Sequence, residues 1–199
     1  LNAEQHAAVM AWLDALAAKV IYSSEHLLVA AHTIRRGETL YDIANQYNVE
    51  YRLLLNINRK AVSDPLVLVP ATDLKVVPGP FRAEVNLTTN ELTLYLNDMY
   101  AGRFPLTLGD QSPQPGDFKV IDKKSPQKTY VGLDGRTIPG DDPTNPYGGW
   151  WISLGGEVCI HGSPTIPGPK PLGCISLSPQ DAQDAYGILS IGSEVKIRK

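Results

Sequence analysis

Hydrophobic positions recur with two different periods along the chain, and the change of period divides it. Ala7, Met10, Ala11, Leu13, Leu16, Ala17 and Val20 follow helical spacing, in Ala-rich sequence of high helix propensity. Ser23–Ala31 carries Leu27, Leu28 and Val29 and reads as a second short helix or an extended arm, with residues 1–31 serving as a packing or spacer segment. His32-Thr33-Ile34 then alternates like a short strand and meets a turn signal at Arg35-Arg36-Gly37. Thr39 is placed as the N-cap of a helix carrying Leu40, Ile43, Ala44 and Tyr47 on one face, closed by Asn48. A further helix holds Leu53, Leu54, Leu55 and Ile57 before Asn58, and Leu66–Val69 reads as an apolar strand ending at Pro70. The predicted order over residues 32–78 is strand, helix, helix, strand.

Val76-Val77-Pro78-Gly79-Pro80 reads as a short linker stiffened by proline. Beyond it the period shortens to two. Strands are predicted at Ala83–Leu87 and Leu92–Leu96 around a Thr88-Thr89-Asn90 turn, at Tyr100–Leu108 and at Phe118–Ile121. Trp150–Leu154 and Val158–His161 form a second hairpin about Gly155-Gly156, and a helix from about Pro179 to Leu189 precedes a last strand, Glu194–Ile197. The fold class expected is α+β: a small βααβ unit, then a mainly antiparallel β domain with one late helix over residues 81–199.

Composition narrows the function more than the fold. With 43% hydrophobic and 20% charged residues the 199-residue chain is ordinary for a globular protein, and its net charge of −3 gives no field favouring nucleic acid. No apolar run reaches the 18 or so residues that span a bilayer. No targeting segment is read at Leu1, so location has to be inferred from chemistry. Two cysteines, Cys159 and Cys174, are too few for a disulfide scaffold, and one structural pair stays open.

The chemistry concentrates in residues 161–177, HGSPTIPGPKPLGCISL. His161 ends a strand, and the pattern places Gly173-Cys174 before a helix, whose positive end favours thiolate. A free thiol titrates near about 8.5, so useful thiolate needs a base or cation close by, and His161 is the only histidine of the second domain. On a strand Cys159 and His161 face the same way. Cys159 is read first as a small buried hydrophobe, with a reversible disulfide to Cys174 as the sharper alternative. Alternation puts one of Trp150 and Trp151 in the core and exposes the other. Asp141-Asp142 reads as a solvated turn, and Lys123-Lys124 and Arg35-Arg36 as solvated charge; no metal site or cofactor is expected.

Two resemblances extend this reading. HTIRRGETLYDIANQYNVEYRLLLNINRK followed by LVLVP resembles the LysM family, with its Gly-[Asp/Glu]-Thr-Leu turn, its Ile-Ala pair and its late Asn. The resemblance implies a shallow groove for N-acetylglucosamine-containing glycans, with Gly37, Glu38, Thr39 and Leu40 on one side and Ile57 to Ala61 on the other. The second domain is similar to the L,D-transpeptidase (YkuD-type) family. The likeness rests on Pro115-Gly116-Asp117-Phe118, Tyr147-Gly148-Gly149-Trp150-Trp151-Ile152, Ile160-His161-Gly162, Gly173-Cys174-Ile175 and the closing Gly192–Ile197 segment. It implies a β-sandwich in which Cys174 is the nucleophile, His161 the base and the Gly162 carbonyl its orienter, with amides at Gly173 and Cys174 as oxyanion donors. Trp151 and Ser176 are then candidate substrate contacts.

The implied activity is peptidoglycan crosslinking through a Cys thioester, outside the cytoplasmic membrane, by a monomer. Its partners would be glycan strands, stem peptides and a candidate acceptor protein. Leu172 stands where the family carries a second His, Ser176 where it carries Arg or Asn, and the His161–Cys174 segment is shorter than usual. An L,D-carboxypeptidase or amide hydrolase using the same pair, and a catalytically silent peptidoglycan-binding protein, are the alternatives.

Overall fold

A computed structural model describes residues 2–109, 112–125, 129–132, 134–163 and 174–199. Contacts group the chain into two compact units, Leu1–Phe81 with Leu94–Arg103, and Arg82–Thr93 with Phe104–Lys199.

The first unit opens with helix α1 (Ala3–Ala17), started by a capping box between Asn2 and Gln5, and continues into a π-helical turn, Ala18–Tyr22. The helical period is there, but the face it defines is not buried: Ala17 is the only residue of α1 classed as buried, while Trp12 and Leu16 are exposed. What holds this segment is polar. Asp14 accepts from Tyr100 and Arg103, and the Tyr22 hydroxyl donates to the Ala101 carbonyl. Residues 23–31 form an irregular, repeatedly bent arm rather than a helix.

The βααβ core follows as β1 (His32–Thr33), α2 (Leu40–Gln46), α3 (Tyr51–Ile57) and β2 (Asp73–Leu74), with β1 and β2 antiparallel. Thr39 caps α2 reciprocally with Asp42, and Leu40, Ile43, Ala44, Leu53, Leu54 and Ile57 face the interior. Buried Asn58 ends α3 by bonding three backbone groups at once: it donates to the Leu54 and Lys75 carbonyls and accepts from the Lys75 amide. Lys75 then sends its buried ammonium to the carbonyls of Val20 and Glu25, which ties the N-terminal arm down.

One expected strand is absent here. Leu66–Val69 is no strand. Asp64 turns the chain by accepting the amides of Leu66 and Val67, Pro65 accepts from the Leu40 amide, and Leu66, Val67 and Val69 are exposed. The closing strand lies later, where Asp73 and Leu74 pair with Thr33 and His32. Val76–Pro80, read as a stiffened linker, is packed into the first unit. Val76 and Val77 are fully buried, and the Gly79 amide donates to the Tyr47 carbonyl.

The β domain is built on one nine-stranded sheet. Its strands in chain order are β3 (Phe81–Asn86), β4 (Glu91–Leu96), β5 (Met99–Leu108), β6 (Gly116–Lys119), β7 (Asp122–Lys124), β10 (Trp151–Gly155), β11 (Val158–Gly162), β12 (Cys174–Leu177) and β13 (Glu194–Arg198). Their spatial order is β6-β13-β3-β4-β5-β12-β11-β10-β7, and β8 (Tyr130–Val131) pairs with β9 (Thr137–Ile138) apart from it. Strands β3 and β4 alternate buried and half-buried positions along their length, the period of two seen in the sequence. The pairs β11–β12 and β3–β13 are parallel. Helix α4 (Pro179–Ile188), capped by Ser178, packs against β10, β11 and β12.

Candidate active site

The site is a consequence of register. Strands β11 and β12 run parallel, with Cys159 opposite Cys174, Ile160 opposite Ile175 and His161 opposite Ser176. Side chains two apart on a strand share a face. Cys159, His161, Cys174 and Ser176 are therefore gathered on one side, while Ile160 and Ile175 anchor the other side at 1% and 0% exposure. Cys174 opens strand β12 and not a helix. Ile175, Ser176 and Leu177 pair with Leu108, Thr107 and Leu106, and α4 begins only at Pro179. Cys174 therefore lacks the helix terminus that the sequence pattern placed beside its sulfur.

Cys159 and Cys174 are joined by a disulfide, with Cα atoms 4.9 Å apart. Cys159 is buried as expected, yet it is a disulfide partner as well, so its packing role is only half of its description. Both sulfurs and a ring nitrogen of His161 lie within 4.8 Å of one another. These are metal-ligand atom types, but the two sulfurs are bonded to each other, which leaves the cluster one nitrogen to offer a cation.

His161 is 2% exposed, and its Nδ1 lies 2.6 Å from the Gly162 carbonyl oxygen. A carbonyl only accepts, so Nδ1 carries the hydrogen and Nε2 holds the lone pair. That Nε2 is buried without a hydrogen-bond partner among the described residues. Burial pushes the imidazole pKa down to about 4, outweighing the opposing effect of the Gly162 bond, so at neutral pH the ring is uncharged.

Several groups surround this base, of which Asn145 and Tyr130 were not singled out from the sequence. Fully buried Asn145 donates to the carbonyls of Ile138 and Pro139 and accepts the Tyr147 amide, which sets the turn carrying Tyr147. The Tyr147 ring meets His161 edge-on at 5.5 Å, with Tyr130 and Trp151 around it at 5.4 and 6.3 Å. Gly148 adopts φ +58°, and a Cβ there would lie 3.0 Å from the Ser163 carbonyl oxygen. The Ser163 hydroxyl donates to the Leu177 carbonyl, so its 3.0 Å contact with Ser176 makes Ser176 the donor. Tyr147, Gly148 and Trp151 were signalled by the Tyr147–Ile152 motif and Ser163 by its place directly after His161-Gly162, whereas Asn145 and Tyr130 carried no signal.

Trp150 and Trp151 are both half-buried, so neither expected extreme is met; Trp150 leans on Tyr186 and Trp151 on Tyr147. Asp142 sits in a turn, accepting from the amide and hydroxyl of Thr144. Gly173 and Leu172 lie outside the described residues.

In the first unit Gly37 is open, with φ +85°. Glu38 turns inward, accepting from the Arg35 amide and lying 3.0 Å from His32 Nε2, and these contacts hold its carboxyl below the usual range. Thr39 is occupied as a cap and Leu40 is wholly buried, its amide donating to Pro65. A hollow of about 640 Å³ does open nearby, but on His32, Arg35, Gln46, Tyr47 and Pro70, and none of the residues expected to face glycan lines it.

Two family models match the sequence: the L,D-transpeptidase catalytic domain (YkuD) over residues 80–197 and the LysM domain over residues 32–76. The chain belongs to the YkuD family of L,D-transpeptidase catalytic domains and carries a LysM domain ahead of it. Among solved structures it is similar to L,D-transpeptidase 1 of Mycobacterium tuberculosis, at 15% identity over 60% of this chain and 61% of that one, with a TM-score of 0.46. It is also similar to an L,D-transpeptidase of Stackebrandtia nassauensis, at 20% identity over 60% and 55%, TM-score 0.46. For the catalytic domain of the E. faecium L,D-transpeptidase the figures are 21%, 60% and 97%, with a TM-score of 0.45. The chain thus spans under two thirds of the length of the first two. No curated protein matches it.

Proposed function

We propose that the reduced chain is a peptidoglycan L,D-transpeptidase acting through a Cys174 acyl-enzyme, held near its substrate by glycan contacts of the LysM domain. The observation that carries this reading is the unpartnered, buried Nε2 of neutral His161, in a cluster with Cys174 Sγ and oriented through Nδ1 by Gly162. Nε2 takes the Cys174 proton as sulfur attacks the donor stem peptide's carbonyl. The resulting imidazolium gives that proton to the departing D-amino acid's amine, and a thioester remains. An acceptor amine then attacks the thioester, losing its proton to Nε2, and Cys174 is released. On the family resemblance, amides at Gly173 and Cys174 steady the oxyanion. Trp151 and Ser176 line the substrate's approach, and within the LysM turn it is exposed Gly37, not buried Leu40, that faces glycan. Such a substrate places the protein outside the cytoplasmic membrane.

The test uses dithiol-treated protein, a purified disaccharide-tetrapeptide and mass spectrometry. Release of the terminal residue with a crosslinked dimer, both lost in Cys174→Ala, is expected. Release without dimer would make the chain a carboxypeptidase, and no release would leave a binding protein.

A further inference from the structure

The nucleophile assigned above is not free in the structure, and what occupies it is encoded in the same strand pair that builds the site. Cys159 and Cys174 stand opposite each other in a parallel ladder, flanked by the Ile160–Ile175 and His161–Ser176 pairs. The ladder fixes both backbones whether or not the sulfurs are bonded, since β12 is also paired to β5 on its other side. Each cysteine is almost fully buried, at 3% and 2% exposure, and both sulfurs lie beside the His161 ring. A disulfide placed for stability alone could join many strand positions, whereas this one consumes the only other cysteine of the chain and the nucleophile itself.

We propose, resting on the assignment of Cys174 as nucleophile, that Cys159 is a resolving thiol that locks the enzyme off under oxidising conditions and returns it on reduction by a dithiol. With a peroxide as oxidant, the Cys174 thiolate attacks the O–O bond, forming a sulfenic acid and releasing hydroxide. The Cys159 sulfur then attacks the sulfenyl sulfur, the S–O bond breaks, and the oxygen leaves as water with the Cys159 proton. Two electrons have passed from the two sulfurs to the peroxide. In the return step one thiolate of a dithiol attacks Cys159 Sγ and Cys174 leaves as thiolate beside His161. The second thiol of the reductant attacks the mixed disulfide, Cys159 leaves and takes a proton, and the reductant closes into its own disulfide. The locked state protects as well as silences, because a sulfur held in a disulfide is not open to the irreversible steps to sulfinic and sulfonic acid.

The experiment counts thiols and measures acylation on the full chain. Protein kept in air is unfolded in iodoacetamide and its mass read, with and without prior dithiothreitol. No label before reduction and two labels after it are expected. Native protein is then challenged with imipenem. Acylation should be at least about a hundred-fold faster after dithiothreitol, since only the free thiolate is a nucleophile. Cys159→Ala and Cys159→Ser should acylate at one rate with or without the dithiol, and after peroxide should lose activity for good while gaining oxygen mass that dithiothreitol does not remove.

Two labelled thiols in air, or equal acylation of the oxidised and reduced protein, overturns the lock. So does unfolding on reduction, read from the amide NMR spectrum, which would make the bond structural. Thiols that switch from none to two with no acylation in either state overturn the functional reading instead, and the gating with it.

Discussion

Acid should act on this protein through His161 before it acts through most carboxylates. The perturbation is a fall in pH from 7 to 4 on the oxidised chain. In the unfolded chain an imidazole titrates near about 6.5, whereas burial brings His161 down to about 4 in the fold. Between those values the unfolded state binds the proton and the folded state refuses it, so stability is complete above about 6.5 and is lost as pH falls. At about 1.4 kcal/mol per unit, His161 alone costs about 2 kcal/mol between pH 7 and 5, and about 3 kcal/mol by pH 4. The assay is urea unfolding of wild type and His161→Gln across that range, both kept oxidised, with the catalytic domain followed by NMR. Wild type should lose stability relative to the variant by these amounts, and the His161 ring resonances should stay at their neutral positions down to pH 5. Parallel pH profiles for the two proteins, or a ring that titrates near 6.5, would refute the claim that the base is held neutral by burial. Reduction should raise the His161 pKa, because a thiolate beside the ring favours imidazolium.

Two other substitutions probe the supports. Gly148→Ala forces a side chain into a positive-φ position whose Cβ would lie 3.0 Å from the Ser163 carbonyl; a loss of about 1–3 kcal/mol, with slower acylation of Cys174, is expected by denaturation and intact mass. Asn58→Ala removes three buried backbone partners and leaves the Lys75 amide unsatisfied; the LysM domain should lose about 2–4 kcal/mol, and a peptidoglycan pull-down should weaken while acylation of Cys174 by imipenem persists.

Where local pattern decides the structure, the sequence was legible. Leu40, Ile43 and Ala44, and then Leu53, Leu54 and Ile57, show helical faces because each helix buries one stripe. The alternation in residues 81–96 shows the paired strands for the same reason, since β3 and β4 each turn every other residue inward. What stayed hidden depends on partners remote in sequence. Nothing in Leu66–Val69 says that the strand opposite His32–Thr33 will be Asp73–Leu74 instead, because that choice rests on the turn at Asp64 and the Leu40–Pro65 bond. Cys174-Ile175-Ser176-Leu177 is as short as a helix start, and only its pairing with β5 and β11 makes it a strand. The same register sets Cys159 against Cys174, a fact that spacing alone left open. His161, Gly162 and Cys174 could be named from motif and chemistry, whereas Asn145 and Ser163 act through backbone groups that no motif displays.

The central claim, that Cys174 is a nucleophile activated by His161, is tested most directly by intact-mass spectrometry of the dithiol-reduced chain after exposure to a carbapenem such as imipenem. A single covalent adduct is predicted, absent in Cys174→Ala and formed far more slowly in His161→Ala. An unmodified mass, with both thiols confirmed free in a folded protein, would contradict it and leave a wall-binding protein that keeps the fold without the chemistry.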